Sequence, residues 1–174
     1  MRHNSIRFLL TAACLALALS ATVGPAIAQT AKNSCVGEEA CVGLTGSVAE
    51  DTCNGRRACF GNWGNIAIHS CNGALACNNN SKDVDQHSCN GHDACYLTEA
   101  TVAAHSCNGY AACGQKRGSV AENACNGHEA CGAHSGKVAE NACNGKRACF
   151  NNKADIGPGE CNGPPVNGKG ICQG

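Results

Sequence analysis

The sequence predicts an all-β protein, a parallel β-solenoid (β-helix) of about eight 18-residue coils with a within-coil disulfide ladder. Three observations lead there. Cysteines recur as C-x5-C, and the pattern restarts every eighteen residues. Asn-Gly, a strong turn former, follows the first cysteine of nearly every repeat. Large apolar residues are scarce, with Phe 3, Tyr 2 and Trp 1, so burial alone would struggle to offset the chain entropy lost on folding. Crosslinks have to supply part of the difference.

The chain opens with a predicted signal peptide over 1–28. Arg2, His3 and Arg7 precede an apolar run from Phe8 to Leu19, and Ala26-Ile27-Ala28 supplies the small residues a signal peptidase reads. Cleavage before Gln29 removes Cys14, leaving sixteen of the 17 cysteines. An even, dense set in an exported chain implies disulfides and a periplasmic or extracellular location. It also removes two arginines from a chain of formal charge +0. No basic field then exists to hold nucleic acid, and no later stretch is apolar enough to span a membrane.

Residues 29–34 read as a short leader. Seven regular repeats occupy 35–160, starting at Cys35, Cys53, Cys71, Cys89, Cys107, Cys125 and Cys143, each with its second cysteine six residues on: Cys41, Cys59, Cys77, Cys95, Cys113, Cys131 and Cys149. Numbering each repeat from its first cysteine, position 3 is always Gly, position 6 is Ala, position 14 is Val or Ile, and position 18 is usually small, while positions 4, 5 and 8 to 11 vary. Fixed small or apolar sites beside free polar ones imply an inside and an outside, repeated once per unit. A continuous helix fails because Asn-Gly would break it in every repeat. Stacked coils at about 4.8 Å explain why like sits on like. Separate disulfide-knotted beads are the alternative architecture.

The pairing is argued from the ends. Bonding each second cysteine to the next repeat's first would strand Cys35 and Cys172 at opposite ends of a rod roughly 35 Å long, whereas a disulfide needs Cα atoms within about 7 Å. Pairing within repeats uses all sixteen, ending with Cys161 and Cys172. Residues 161–174 read as a capping repeat, where Pro164 and Pro165 would stop further strand pairing.

One C-x5-C per coil, from Cys35 to Cys161, resembles the beetle antifreeze proteins, which are disulfide-bridged β-solenoids with shorter coils. The resemblance is architectural. The Thr-x-Thr ice-binding array of that family is absent, and Ser70-Cys71-Asn72 and its equivalents stand in its place.

Candidate sites follow from the columns. Asn54, Asn72, Asn90, Asn108, Asn126 and Asn144 share position 2, as does Asn162, and Ser70, Ser88 and Ser106 share position 18. The asparagines suit a turn-forming ladder of stacked amides. If the position-1 cysteines point inward, strand alternation turns positions 18 and 2 outward, and a Ser/Asn face is exposed for ice or another repetitive surface. His69, His87 and His105 share position 17, suiting a polar ladder or a Zn²⁺ or Cu²⁺ site. Cysteine thiolates are a further metal reading, although C-x5-C is not a zinc spacing. His92 and His128 read as solvated, and His134 as lying in a variable loop. Phe60, Tyr96 and Phe150 share position 8, and read as isolated aromatics or a sparse contact stripe. No catalytic motif or cofactor fingerprint is present. The expectation is a non-catalytic secreted repeat protein with a structural or surface-interaction role, its partner an unidentified protein, glycan or surface.

Overall fold

The computed structural model describes residues 31–163 and residue 172. The predicted signal peptide, Gln29 and Thr30 of the leader, and the cap prolines Pro164 and Pro165 lie outside the described residues.

Each repeat winds once and stacks on the next in strict 18-residue register. Six isolated parallel bridges carry the register, from Val48↔Ile66 through Val84, Val102, Val120 and Val138 to Ile156, all at position 14. Backbone hydrogen bonds link neighbours at many other positions. Cys53 N–H donates to Ser70 C=O at 3.1 Å, Cys59 N–H to Ala76 C=O at 2.9 Å, and Arg57 N–H back to Glu38 C=O at 2.8 Å.

The expected all-β parallel β-solenoid is not what forms. Among the described residues there is no helix and no extended strand, only those single-residue bridges within turns and bends. The reason lies in the backbone. A strand needs consecutive residues with φ near −120°, but here left-handed residues recur through each repeat. In repeat 2, Cys53, Arg57, Cys59, Gly61 and His69 have φ of 58°, 57°, 53°, 61° and 55°. Hydrogen bonds from Ala58 N–H to Gly55 C=O, Phe60 N–H to Arg57 C=O and Asn62 N–H to Cys59 C=O close three overlapping four-residue turns. Each has a positive φ at its third residue, as a type II turn requires. The chain therefore curls tightly enough to close a loop in eighteen residues without any straight segment.

The interior is made of columns. Cysteines at positions 1 and 7, alanines at position 6 and Val or Ile at position 14 form the buried core. Disulfides pair within each repeat: Cys35–Cys41, Cys53–Cys59, Cys71–Cys77, Cys89–Cys95, Cys107–Cys113, Cys125–Cys131 and Cys143–Cys149, with Cα–Cα distances of 5.5 to 5.7 Å, and Cys161–Cys172 at 5.8 Å. Position 3 needs Gly because a Cβ on Gly73 would lie 2.5 Å from the Gly91 carbonyl oxygen of the next repeat.

Candidate functional site

The position-2 asparagines form a continuous ladder. Each Oδ1 accepts the backbone N–H of the preceding repeat's position 2, at 2.8 to 3.0 Å from Asn54 to Asn162. Each Nδ2 donates to a position-17 carbonyl, as Asn90 does to His69 C=O at 2.9 Å and Asn126 to His105 C=O at 2.8 Å. Asn54, Asn72, Asn90, Asn108, Asn126 and Asn144 are thus half-buried brackets whose amides are spent on the backbone.

The predicted Ser/Asn face is corrected here. Ser70, Ser88 and Ser106 are fully buried at 0% exposure. Their hydroxyls donate across to the next repeat, Ser70 Oγ to Asp85 C=O at 2.8 Å, Ser88 Oγ to Ala103 C=O at 2.9 Å and Ser106 Oγ to Ala121 C=O at 2.8 Å. Alternation fails because positions 17 and 1 are both left-handed, His69 at φ 55° and Cys71 at φ 58°, so positions 18 and 1 turn inward together. No Ser/Asn double row is offered to ice.

His69, His87 and His105 do come together, as a face-to-face stack with ring centroids 5.0 and 5.1 Å apart. Two imidazole nitrogens on one zinc, each about 2.1 Å from the metal, lie at most about 4.2 Å apart. The stacked centroids lie farther apart than that, and the three imidazoles do not bring their donor atoms within 4.8 Å of one another. Sulfur triplets such as Cys77, Cys89 and Cys95 do cluster within 4.8 Å, but these sulfurs are in disulfides and offer no thiolate.

Position 10, which varies in sequence as a loop would, is a buried polar column. Asn62, Asn80, Thr98, Lys116 and His134 are fully buried and Asn152 nearly so. Several satisfy inward-facing carbonyls at position 12. Asn62 Nδ2 donates to Gly64 C=O at 2.5 Å, and Lys116 Nζ to Gly118 C=O at 2.6 Å and Gly136 C=O at 2.5 Å. Burial lowers the Lys116 ammonium to about 8, with Asp155 opposing. Burial, reinforced by Lys116, lowers His134 to about 4. Neither ring nitrogen of His134 makes a hydrogen bond of good geometry, although the Gly136 carbonyl lies close enough to oppose the shift. The sequence offers little signal for this column, since Asn62, Asn80 and Asn152 share it with Thr98, Lys116 and His134.

On either side of it, positions 9 and 11 face outward and line a groove of about 710 Å³. It runs from Gly61 and Trp63 past Leu97, Glu99 and Arg117 to Ser135 and Lys153. Trp63 is 71% exposed. No helix among the described residues is long and apolar enough to cross a membrane.

No curated protein and no solved structure matches the chain. A family model described as "Domain of unknown function" matches it twice, over residues 11–103 and 77–173, as a tandem array of disulfide-rich repeats would be matched. The chain belongs to that family, DUF7640.

Proposed function

We propose that this chain is a secreted, non-catalytic interaction protein, a disulfide-stapled stack that presents side chains at a fixed pitch to a protein, glycan or surface partner. Eight disulfides in a thin stack suit an oxidising compartment. The observation that carries the reading is the groove on positions 9 and 11. Its walls come from positions whose residues vary widely from repeat to repeat, while the inward positions 1, 6, 7 and 14 hardly change. A frame kept constant around a varied surface is the arrangement that specificity requires. Trp63 supplies a large apolar platform, and Glu99, Arg117 and Lys153 supply charges of both signs.

The test is an array of glycans and extracellular proteins probed with the oxidised chain. Trp63→Ala removes the platform, and Ser135→Trp plugs the groove. A specific partner should lose at least tenfold in affinity to each variant. A partner that ignores both would place binding elsewhere and sink the groove reading.

A further inference from the structure

We propose that a separate slot on the fifth repeat binds an organic ammonium ion, of the size of a trimethylammonium group. The slot, about 290 Å³, opens between Tyr96 and Phe150. Both rings stand at position 8, three repeats apart, and the two repeats between them carry Gly114 and Gly132 there. The Phe150 ring leans back over Gly132, where an added Cβ would lie 3.0 Å from Phe150 Cδ2. Gly114 is left uncovered, with no atom within 3.7 Å of an added Cβ. Position 5 repeats the pattern: Asp93 and Glu129 stand on either side of Ala111. The fifth repeat is thus an alanine-glycine floor between two aromatic rings and two carboxylates.

The spacing suits a cation. Neighbouring repeats lie about 5 Å apart, as the His69–His87 ring separation of 5.0 Å shows. Tyr96 and Phe150 both line the slot, so a ligand held in it lies against both side chains, and an aromatic ring attracts a cation within roughly 6 Å of its centre.

The protein's own pairs supply the chemistry. Positions 5 and 8 face each other, and where position 5 is arginine it lies on the ring: Arg57 on Phe60 at 5.2 Å and Arg147 on Phe150 at 4.4 Å. At the fourth repeat the sign is reversed, because Asp93 accompanies Tyr96. That ring lacks the cation its counterparts have, and an anion stands in the cation's place. Asp93 is met by His92 Nδ1 at 2.8 Å, and Glu129 by Arg147 at 3.3 Å and His128 at 3.9 Å. Two carboxylates against one permanent cation leave the slot net negative. The slot shares Gln115 and Ala133 with the groove above, but its rings and carboxylates stand at positions 8 and 5, and the inference holds whether or not that groove has a partner.

The experiment titrates the natively oxidised chain with choline, with its neutral isostere in which carbon replaces nitrogen, and with a trimethyl-lysine peptide, followed by heteronuclear NMR. Choline or the peptide should shift the Gly114 and Gly132 amides, and the isostere should not. Whichever binds tighter identifies the source as a small-molecule headgroup or a protein side chain. Tyr96→Ala and Gly114→Phe should each weaken binding about tenfold, Asp93→Asn severalfold, and Phe60→Ala not at all. A dispersed amide spectrum that overlays the parent's outside the slot, with an intact mass showing eight disulfides, confirms that each variant is folded. Equal binding of the neutral isostere, undiminished binding to Gly114→Phe, or no binding of either cation would overturn the proposal.

Discussion

Asn108 braces Asn90 from the next repeat: its Oδ1 accepts the Asn90 backbone N–H at 3.0 Å while its Nδ2 donates to the His87 carbonyl at 2.8 Å. One side chain thus ties down a donor of the fourth repeat and an acceptor at the end of the third. Asn108→Ala should therefore destabilise the stack by about 1–3 kcal/mol, the cost of leaving such groups unmet. Urea midpoints measured with disulfides intact check this. A midpoint unchanged from the parent would mean that water replaces the bracket without loss.

Backbone handedness gives a prediction of opposite sign to the usual rule. Ala133 has φ 54°, at position 9, where Gly43 and Gly61 serve in repeats 1 and 2. Ala→Gly normally destabilises by roughly 0.5–1 kcal/mol through chain entropy. Here it also relieves the roughly 1–2 kcal/mol that a Cβ costs in the left-handed region. Ala133→Gly should raise the urea midpoint slightly, whereas Ala139→Gly, whose φ is not positive, should lower it.

The period, the disulfides and the fixed Gly, Ala and Val columns were legible because each demands a particular side chain: a thiol to pair, no Cβ at Gly73, a small or branched apolar group inside. The strand assignment failed because left-handed backbone at Cys71, Ala111 and Glu129 is imposed by closure of the repeat on residue types that do not announce it; only position 17, with Asp51, His69 and Asn123 among its members, is filled throughout by types that favour it. The same conformations moved Ser88 from the expected surface to the core. Position 10 stayed hidden for another reason. Asn, Thr, Lys and His all reach inward there, so a column united by burial looks random as sequence.

That column makes stability depend on pH. His134 titrates near 4 when folded and 6.5 when unfolded, so between those values the unfolded chain binds more protons. Stability should fall as pH drops from about 6.5 to 4 and then lose nothing more from this group. Lys116, near 8 folded against 10.5 unfolded, should make stability rise again between pH 8 and 10.5. His134→Asn places in the column the side chain that meets Gly64 from Asn62. It should stabilise the chain by about 1–2 kcal/mol at neutral pH and flatten the acid window while leaving the alkaline one. Denaturant titrations across pH 3–11 read both windows. An acid slope undiminished in the variant would assign it to other groups.

Because each repeat touches only its neighbours, the effect of removing a staple should depend on where it sits. A chain-entropy estimate for so short a loop gives about 2 kcal/mol per disulfide. Cys89 and Cys95 are fully buried in the fourth repeat, and Cys35 and Cys41 are only partly buried at the first. Replacing the inner pair by alanine loses that crosslink and also leaves space among the buried cysteines, alanines and valines of the core. Replacing the outer pair frays one end. In a stack held by nearest-neighbour terms, a weak inner repeat divides the protected array in two. Hydrogen exchange by mass spectrometry should show protection lost around repeats 3 to 5 for Cys89→Ala/Cys95→Ala, with the flanking repeats exchanging independently. For Cys35→Ala/Cys41→Ala the loss should stay within the first repeat. Uniform loss in both variants would mean that the stack opens as one cooperative unit and that its stability is not a sum over neighbouring repeats.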